Sequence, residues 1–192
     1  MKSDIILIGA IGVGKSTVGS LLAKRLNIPQ HSMDDLRLGY YKEIGYDEEF
    51  AKHKRESAGF WGIYQYWKPF EAYAVERLLS EHHHCTIDFG AGHSVYEDDA
   101  LFQRVQQVLA PYSNVILLMP SPDRDESVQI LNERNEYVSN GQPNINEHFV
   151  RHPSNDKLAK VTVYNKGKTP EETCEEILNL IERDPLWVTQ RD

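Results

Sequence analysis

A glycine-rich stretch near the start of the chain limits its fold more than any other feature. Residues 9–17 read Gly-Ala-Ile-Gly-Val-Gly-Lys-Ser-Thr and match the pattern GxxxxGK[ST] at every specified position. The stretch follows an apolar run at residues 5–8 and precedes a segment with helical periodicity. This strand–loop–helix order is the setting in which such a loop holds phosphate groups. The sequence therefore predicts an α/β fold whose first strand leads through this loop into a helix.

The residue types in the loop suit a bound nucleoside triphosphate, ATP in our interpretation. Its three glycines allow backbone conformations in which successive N–H groups face an anion, and the following helix adds its positive end. Lys15 can contact the β- and γ-phosphates, and the Ser16 hydroxyl can complete a magnesium shell. The predicted ATP-binding residues are Gly9, Gly12, Val13, Gly14, Lys15, Ser16 and Thr17.

Composition narrows the class of protein and its partners. The chain has 192 residues, 40% hydrophobic and 26% charged, which suits one globular domain with a sizeable core. Its net charge is −8 without a Lys/Arg-dense block, so we expect no nucleic-acid surface. No apolar run approaches the roughly 20 residues that span a bilayer. We expect a cytoplasmic monomer or homodimer, with Cys85 and Cys174 as buried free thiols.

Alternating apolar runs and helical periods predict a doubly wound α/β sheet with five parallel strands. Irregular structure is expected at 40–66 and 137–156, where Asn, Gly and Pro interrupt any period. A capping Thr169, followed by Pro170 and with Glu172 three residues on, predicts the start of the last helix. The predicted strands lie at 5–8, around 30–33, and at 85–89, 115–119 and 160–164.

Aromatic residues are concentrated in one part of the chain. Of the 19 aromatic side chains, 11 fall between Tyr40 and Tyr73. Such a cluster commonly forms a satellite core, here beneath a helical insertion. It can also form the wall of a pocket for a flat or bulky ligand. The sequence leaves both interpretations open, and they are compatible.

The stretch from Gly9 to Leu26, which reads GxxGxGKSTVGxxLAxxL, resembles the shikimate kinase branch of the small-molecule P-loop kinases. Adenylate and gluconate kinases are close relatives of that branch. The resemblance implies a P-loop NTPase fold, with a five-stranded parallel sheet between helices, in a single domain over 1–192. It also implies a substrate-binding insertion at about 36–66 and a lid at about 134–153. The implied reaction moves the γ-phosphoryl group of ATP to a small-molecule acceptor, with Mg²⁺.

The resemblance also implies residues for the acceptor side. The family's Asp-x-Asp aligns with Ser32 and Asp34, so Asp34 is the carboxylate that orients or deprotonates the acceptor hydroxyl. Lys68 stands where the family has an arginine that binds the acceptor. Asp88 ends an apolar strand as a magnesium-binding carboxylate does. The family's glycine triplet, which lets an acceptor lie against the backbone, appears as Gly90, Ala91 and Gly92.

Two arginines complete the implied site. Arg151, in Arg-His-Pro before the last strand, is the candidate for gripping the acceptor or the transferring phosphate. Arg134 falls where the lid begins and is expected to close over ATP. Either can stabilise negative charge in the transition state. The predicted catalytic residues are therefore Lys15, Asp34 and Arg134, and the predicted metal-binding residues are Ser16 and Asp88.

Three functions remain open on the sequence. The first is an ATP-dependent small-molecule kinase, and the second is a nucleoside or nucleotide kinase, which the aromatic segment would suit. The third is a non-catalytic ATP-binding regulatory protein, because Ser32, Lys68 and Ala91 depart from the family pattern. GTPase function is disfavoured, since Lys168 replaces the guanine-reading carboxylate and Ala91 the switch glycine.

Overall fold

The computed structural model describes residues 2–136 and 142–182. Its centre is a five-stranded sheet in the order β2-β3-β1-β4-β5, and every pairing is parallel. This confirms the predicted P-loop NTPase architecture. Strand β1 lies in the middle of the sheet. The next two strands, β2 and β3, lie on one side of it, and after β3 the chain crosses over to form β4 and β5 on the other side. The strands are β1 (Lys2–Ile8), β2 (Gln30–Ser32), β3 (Thr86–Asp88), β4 (Tyr112–Met119) and β5 (Val161–Tyr164).

Helices flank the sheet and bury it, which explains why its strands are apolar runs rather than alternating ones. The four side chains at positions 5–8 of the central strand are fully buried. Among the described residues, no helix combines the length and the apolar character needed to cross a membrane. The helices are α1 (Lys15–Leu26), α2 (Met33–Glu43), α3 (Glu48–Glu81), α4 (Asp99–Leu109), α5 (Arg124–Arg134), α6 (Ile145–Arg151), α7 (Pro153–Leu158) and α8 (Pro170–Glu182).

The prediction of irregular structure at 40–66 is wrong. Helix α2 continues to Glu43, and α3 covers the segment from Glu48 onward. Gly59 breaks α3 with a φ of 63°, so its two halves do not share one continuous helical face. That break, together with aromatic side chains on several sides of the helix, obscures the 3.6-residue hydrophobic period by which a helix is recognised in a sequence. The prediction for 137–156 is also wrong where the structure describes it, because α6 and α7 fill most of 142–156, while 137–141 lie outside the described residues.

Two local predictions are confirmed. The Thr169 hydroxyl accepts a hydrogen bond from the Glu172 backbone N–H at 3.1 Å, and the Glu172 carboxylate accepts one from the Thr169 N–H at 2.7 Å. This reciprocal pair is the capping box that starts α8. Cys85 and Cys174 are both free and buried.

The aromatic segment contributes to the core, where Tyr41 and Tyr64 are among the largest fully buried side chains.

Candidate active site

The loop between β1 and α1 requires its glycines. Gly9, Gly12 and Gly14 have φ values of 136°, 72° and 102°, in the region that side chains disfavour. A Cβ on Gly9 would lie only 2.5 Å from the Leu118 carbonyl oxygen, so the neighbouring strand also excludes a side chain there. The loop ends at Lys15, the first residue of α1. Backbone N–H groups and the helix dipole are thus arranged to hold an anion.

Two asparagines hold this loop from outside. The Asn165 side-chain amide donates to the Val13 carbonyl at 2.7 Å, and that of Asn135 donates to the Ile11 carbonyl at 3.2 Å. The Asn135 amide also fills the space where Gly12 lacks a side chain, since a Cβ there would lie 2.2 Å from its Oδ1. These contacts tie the loop to the ends of α5 and β5, which fixes its shape before any ligand binds.

Lys15 is buried beneath the loop. Its Nζ donates to the carbonyl oxygens of Gly9 at 2.9 Å and Ala10 at 2.8 Å. Burial lowers the pKa of Lys15 from 10.5 to about 8, while Asp34 and Asp88 act in the opposite direction. The ammonium group therefore stands among a few fixed dipoles and carboxylates, where a nearby phosphate would interact with it strongly.

We expect ATP affinity to weaken as pH rises above about 8, because the free protein then loses the Lys15 proton. A bound polyphosphate favours the charged amine, so binding above this pH must take up a proton. Calorimetric titration with Mg-ATP between pH 7 and 9.5 measures the effect. Lys15→Met should remove the pH dependence, and a wild-type dissociation constant that stays flat across this range would contradict the expectation.

A second polar group lies where β2 and β3 end. The Ser16 hydroxyl donates to Asp88 Oδ1 at 2.7 Å, and the Ser32 hydroxyl donates to the same oxygen at 3.1 Å. Gln30 Nε2 donates to Asp88 Oδ2 at 2.8 Å. The parallel register that pairs Ser32 with Asp88 brings these groups together. Asp88 is only 2% exposed, so its carboxylate is held in one position beside the loop.

Asp34 lies in the first turn of α2, and its carboxylate reaches Gly90, just after β3. A Cβ on Gly90 would lie 2.7 Å from Asp34 Oδ1, so the absence of a side chain there makes room for this carboxylate. Arg37, one helical turn further on, places its Nε 3.6 Å from the same oxygen. The Asp34 side chain is 59% exposed, which leaves it accessible to a ligand.

Two cavities meet at Asp34. The first, about 340 Å³, is formed mainly by the loop and the start of α1, including Gly12, Lys15 and Ser16. The second, about 260 Å³, is formed by α2, α3 and the segment after β3. The residues that line both are Ile11, Asp34 and Ala91. The arrangement therefore offers a site for a phosphate donor and a neighbouring site for a second ligand.

The second cavity contains part of the predicted acceptor set. Gly90, Ala91 and Gly92 line it, as does Asp34. The aromatic segment supplies much of the remaining wall, so it forms both a core and a pocket. Residues of this cavity beyond the site residues predicted from the sequence are Ile11, Arg37, Phe60, Tyr64, Trp67, Glu71, His93 and Phe149. For Arg37 a signal was present, since a spacing of three residues places it on the same helix face as Asp34.

Lys68, the predicted acceptor-binding residue, is not among the residues that line the second cavity. Its Nζ donates to the carbonyl oxygens of Gly92 at 3.0 Å and Val95 at 2.9 Å, and pairs with Glu71 at 2.5 Å. It also lies 3.9 Å from the centre of the Tyr64 ring. Lys68 is 4% exposed and fully engaged by these partners. It supports the glycine segment from below.

The two predicted arginines lie outside both cavities. Arg151, at the end of α6, is exposed and forms ion pairs with Asp125 and Glu147. Arg134, at the end of α5, is exposed, while the residue after it contacts the loop. Neither arginine is among the residues that line the two cavities. The structure therefore does not bring them together with Lys15 and Asp34.

His93 holds the floor of the second cavity in place as a neutral side chain. Burial lowers the pKa of His93 well below 6.5, and the charges of Arg37 and Lys68 act in the same direction. Its Nε2 lies 3.1 Å from the Tyr41 hydroxyl, and its Nδ1 lies 3.3 Å from the Gly90 carbonyl oxygen. In the neutral ring, Nδ1–H donates to Gly90 and Nε2 accepts from Tyr41.

We expect Gly90→Ala to weaken acceptor binding while ATP binding is unchanged. The new methyl group would lie within 3 Å of Asp34 Oδ1 and His93 Nδ1, whereas the φ of −60° at Gly90 is open to alanine. Displacing the carboxylate should lower kcat/KM for the acceptor by about 10- to 100-fold. Steady-state kinetics measures this. Gly39→Ala is the matched control because its Cβ would meet nothing within 4 Å, and equal effects of the two substitutions would contradict the expectation.

A glycine-rich loop with a buried lysine, at the centre of a parallel sheet, defines a P-loop nucleoside triphosphate-binding protein. A second cavity adjoins the loop at Asp34 and leaves room for a second ligand beside the phosphate-binding site. Residues 11–182 match the family model described as shikimate kinase. The chain belongs to the shikimate kinase family, and it is an ATP-dependent small-molecule kinase.

Solved structures share the fold. The shikimate kinase from Acinetobacter baumannii in complex with shikimate is 19% identical, with 97% of this chain and 96% of that one covered at a TM-score of 0.64. The enzyme from Aquifex aeolicus is 22% identical, with 95% and 98% covered and a TM-score of 0.58. A gluconokinase from Sinorhizobium meliloti is 14% identical, with 98% and 97% covered and a TM-score of 0.52. A comparison with curated proteins finds no significant match.

Proposed function

We propose that the chain transfers the γ-phosphoryl group of Mg-ATP to a hydroxyl of a small acceptor held in the second cavity. The observation that supports this most is the position of Asp34, which lines both cavities. A carboxylate at that junction can accept the proton of an acceptor hydroxyl while the donor phosphate lies beside the loop. Lys15 then stabilises the charge that builds up on the transferring group.

Magnesium has suitable ligands beside the loop. Ser16 and Asp88 present a hydroxyl and a carboxylate already within 2.7 Å of each other, and hard oxygen ligands of this kind suit Mg²⁺. Within the described residues, no group of three or more His, Cys, Asp or Glu side chains could hold a metal ion by itself. This fits an ion that takes most of its ligands from phosphate and water. When bound, the ion would neutralise charge on the β- and γ-phosphates.

The acceptor is a small molecule in this proposal. A cavity of about 260 Å³ lies just below the range of roughly 300–1,000 Å³ that drug-sized ligands fill. One ring or a short chain therefore suits it better than a complete nucleotide. A nucleoside remains the second candidate, because Phe60, Tyr64 and Trp67 provide aromatic surfaces for a flat ring.

The proposal extends to the segments around the site. Within the single domain 1–192, residues of about 36–66 would form the wall of the acceptor site. Arg37, Phe60 and Tyr64 support this, because they line the second cavity. The segment of about 134–153 would act as a lid. Phe149, from α6, supports this because it lines the same cavity. Arg134 and Arg151 would enter the site only after this segment moved.

Release of ADP from Mg-ATP in the presence of an acceptor panel tests the proposed function. The panel contains hydroxy acids, sugars and nucleosides, each compared with the rate without acceptor. Stimulation by a hydroxy acid or sugar is the expected result, and stimulation by nucleosides alone would favour the second candidate. ATP binding without stimulation by any compound would count against the proposal.

A further inference from the structure

The positively charged side chain that lines the second cavity is Arg37 of α2 rather than Lys68 of α3. Lys68, on α3, is occupied by Glu71 and two backbone carbonyls beneath the glycine segment. Arg37 lines the cavity beside Asp34. We propose that Arg37 recognises an anionic group on the acceptor, a carboxylate or a phosphate. This inference rests on the proposed function and assigns part of its specificity.

The Arg37 guanidinium is held in position but keeps binding capacity. It lies over the Trp67 ring at 5.3 Å from the centroid, and the Trp67 indole is itself fixed by donating to the Tyr46 hydroxyl at 3.0 Å. Within the described part of the chain, Arg37 Nε is buried and has no hydrogen-bond partner. Its contact with Asp34 is 3.6 Å, which is longer than a hydrogen bond. A planar guanidinium in this state is suited to bidentate binding of an oxyanion.

The charges around Arg37 leave it available for an added anion. Glu71 is paired with Lys68, and burial raises the pKa of Glu71 above its ordinary value. His93 is neutral because burial lowers its pKa. The Tyr41 phenol, which contacts the Arg37 side chain, is neutral as well, since burial raises its pKa far above 10. Of the two described carboxylates that line this cavity, Asp34 is the one that Lys68 does not engage, and in the proposed function it turns to the acceptor hydroxyl.

The spacing of the two side chains restricts the acceptor. Asp34 and Arg37 are one helical turn apart and approach to 3.6 Å, so the groups that they bind must lie a few covalent bonds apart on one molecule.

Matched pairs of acceptors test the inference. The pairs are shikimate with its methyl ester, gluconate with glucose, and glycerol 3-phosphate with glycerol, which separate carboxylate from phosphate recognition. The measurements are kcat/KM from ADP release with Mg-ATP, and dissociation constants by calorimetry with Mg-ADP. For at least one pair we expect the wild type to prefer the anion by about tenfold or more, as loss of a charge-assisted hydrogen bond would give.

Arg37→Gln should remove that preference, mainly by raising KM for the anion, while the neutral partner changes little. Arg37→Lys should restore part of it, because the charge returns without the bidentate geometry. Arg104→Gln is the control, since Arg104 pairs with Glu76 on α3 and lines neither cavity. Equal rates for anion and neutral partner in the wild type, or an unchanged ratio in Arg37→Gln, would overturn the inference and leave the kinase function intact.

Failure of the proposed function gives a different pattern. In that case neither member of any pair stimulates ADP release, although ATP binds. The dissociation constants of the anions, measured by calorimetry, then test the role of Arg37 without turnover. Anion binding that Arg37→Gln weakens tenfold supports it, and no binding of any of the three anions to the wild type at millimolar concentration overturns it.

Discussion

Asp34→Asn is expected to reduce acceptor-dependent turnover by about 10²- to 10⁴-fold, the usual contribution of a positioned general base. Asparagine has nearly the same shape as aspartate, so it preserves the space beside Gly90, but it cannot accept the hydroxyl proton. ATP affinity should change little, because the loop, Lys15 and the Ser16–Asp88 pair hold the donor. ADP release under saturating Mg-ATP and acceptor measures the loss.

Asp35→Asn is the matched control for this substitution. Asp35 is the next residue of α2, is exposed, and lines neither cavity. Asp35→Asn changes the local net charge by the same amount as Asp34→Asn, so a general electrostatic effect would appear in both variants. Comparable losses in the two variants, or full turnover in Asp34→Asn, would show that Asp34 does not have the role assigned to it.

The second large effect is expected for Lys15→Met. This substitution keeps an unbranched stem of similar length but removes the ammonium group, which the proposal places against the β- and γ-phosphates. We expect kcat to fall by about 10²- to 10³-fold, as for the loss of one transition-state donor. The dissociation constant for ATP should rise about tenfold or more, since a hydrogen bond to a charged group contributes roughly 1.5–3 kcal/mol.

Thermal denaturation distinguishes this loss from damage to the fold. Burial lowers the pKa of Lys15 to about 8, so the folded protein disfavours the charged amine relative to the unfolded chain. The resulting destabilisation is fully present below pH 8 and disappears as pH rises toward 10.5. Lys15→Met should therefore leave the free protein at least as stable at pH 7. A large drop in its melting temperature would instead indicate that the lysine is mainly structural.

The donor side of the site could be predicted from sequence because its geometry is local. Nine consecutive residues and the strand and helix on either side determine the loop, and the structure places them as expected. The positions of Asp34 and Asp88 near the loop could also be predicted, since each lies just after or at the end of a parallel strand, and such ends converge at one edge of the sheet. The glycine segment at 90–92 follows from the same rule.

The acceptor side depends on tertiary contacts of long charged side chains, which spacing does not reveal. Lys68 occupies the expected position in the chain, but Glu71 on the same helix and the carbonyls of Gly92 and Val95 turn it inward. Arg151 finds acidic neighbours on the surface instead of a ligand. The three-residue spacing places Arg37 on the face of α2 that carries Asp34, whereas its support by Trp67, thirty residues later, is a tertiary contact that spacing does not reveal.

Transfer of labelled phosphate tests the central claim most directly. The protein is incubated with ATP labelled in the γ-phosphoryl group, Mg²⁺ and each member of the acceptor panel, and the products are separated by chromatography. The account expects label to appear in a phosphorylated acceptor, in step with ADP, and to appear there at least about 100-fold more slowly with Asp34→Asn. Label found only in inorganic phosphate, at the same rate with and without every acceptor, would contradict it.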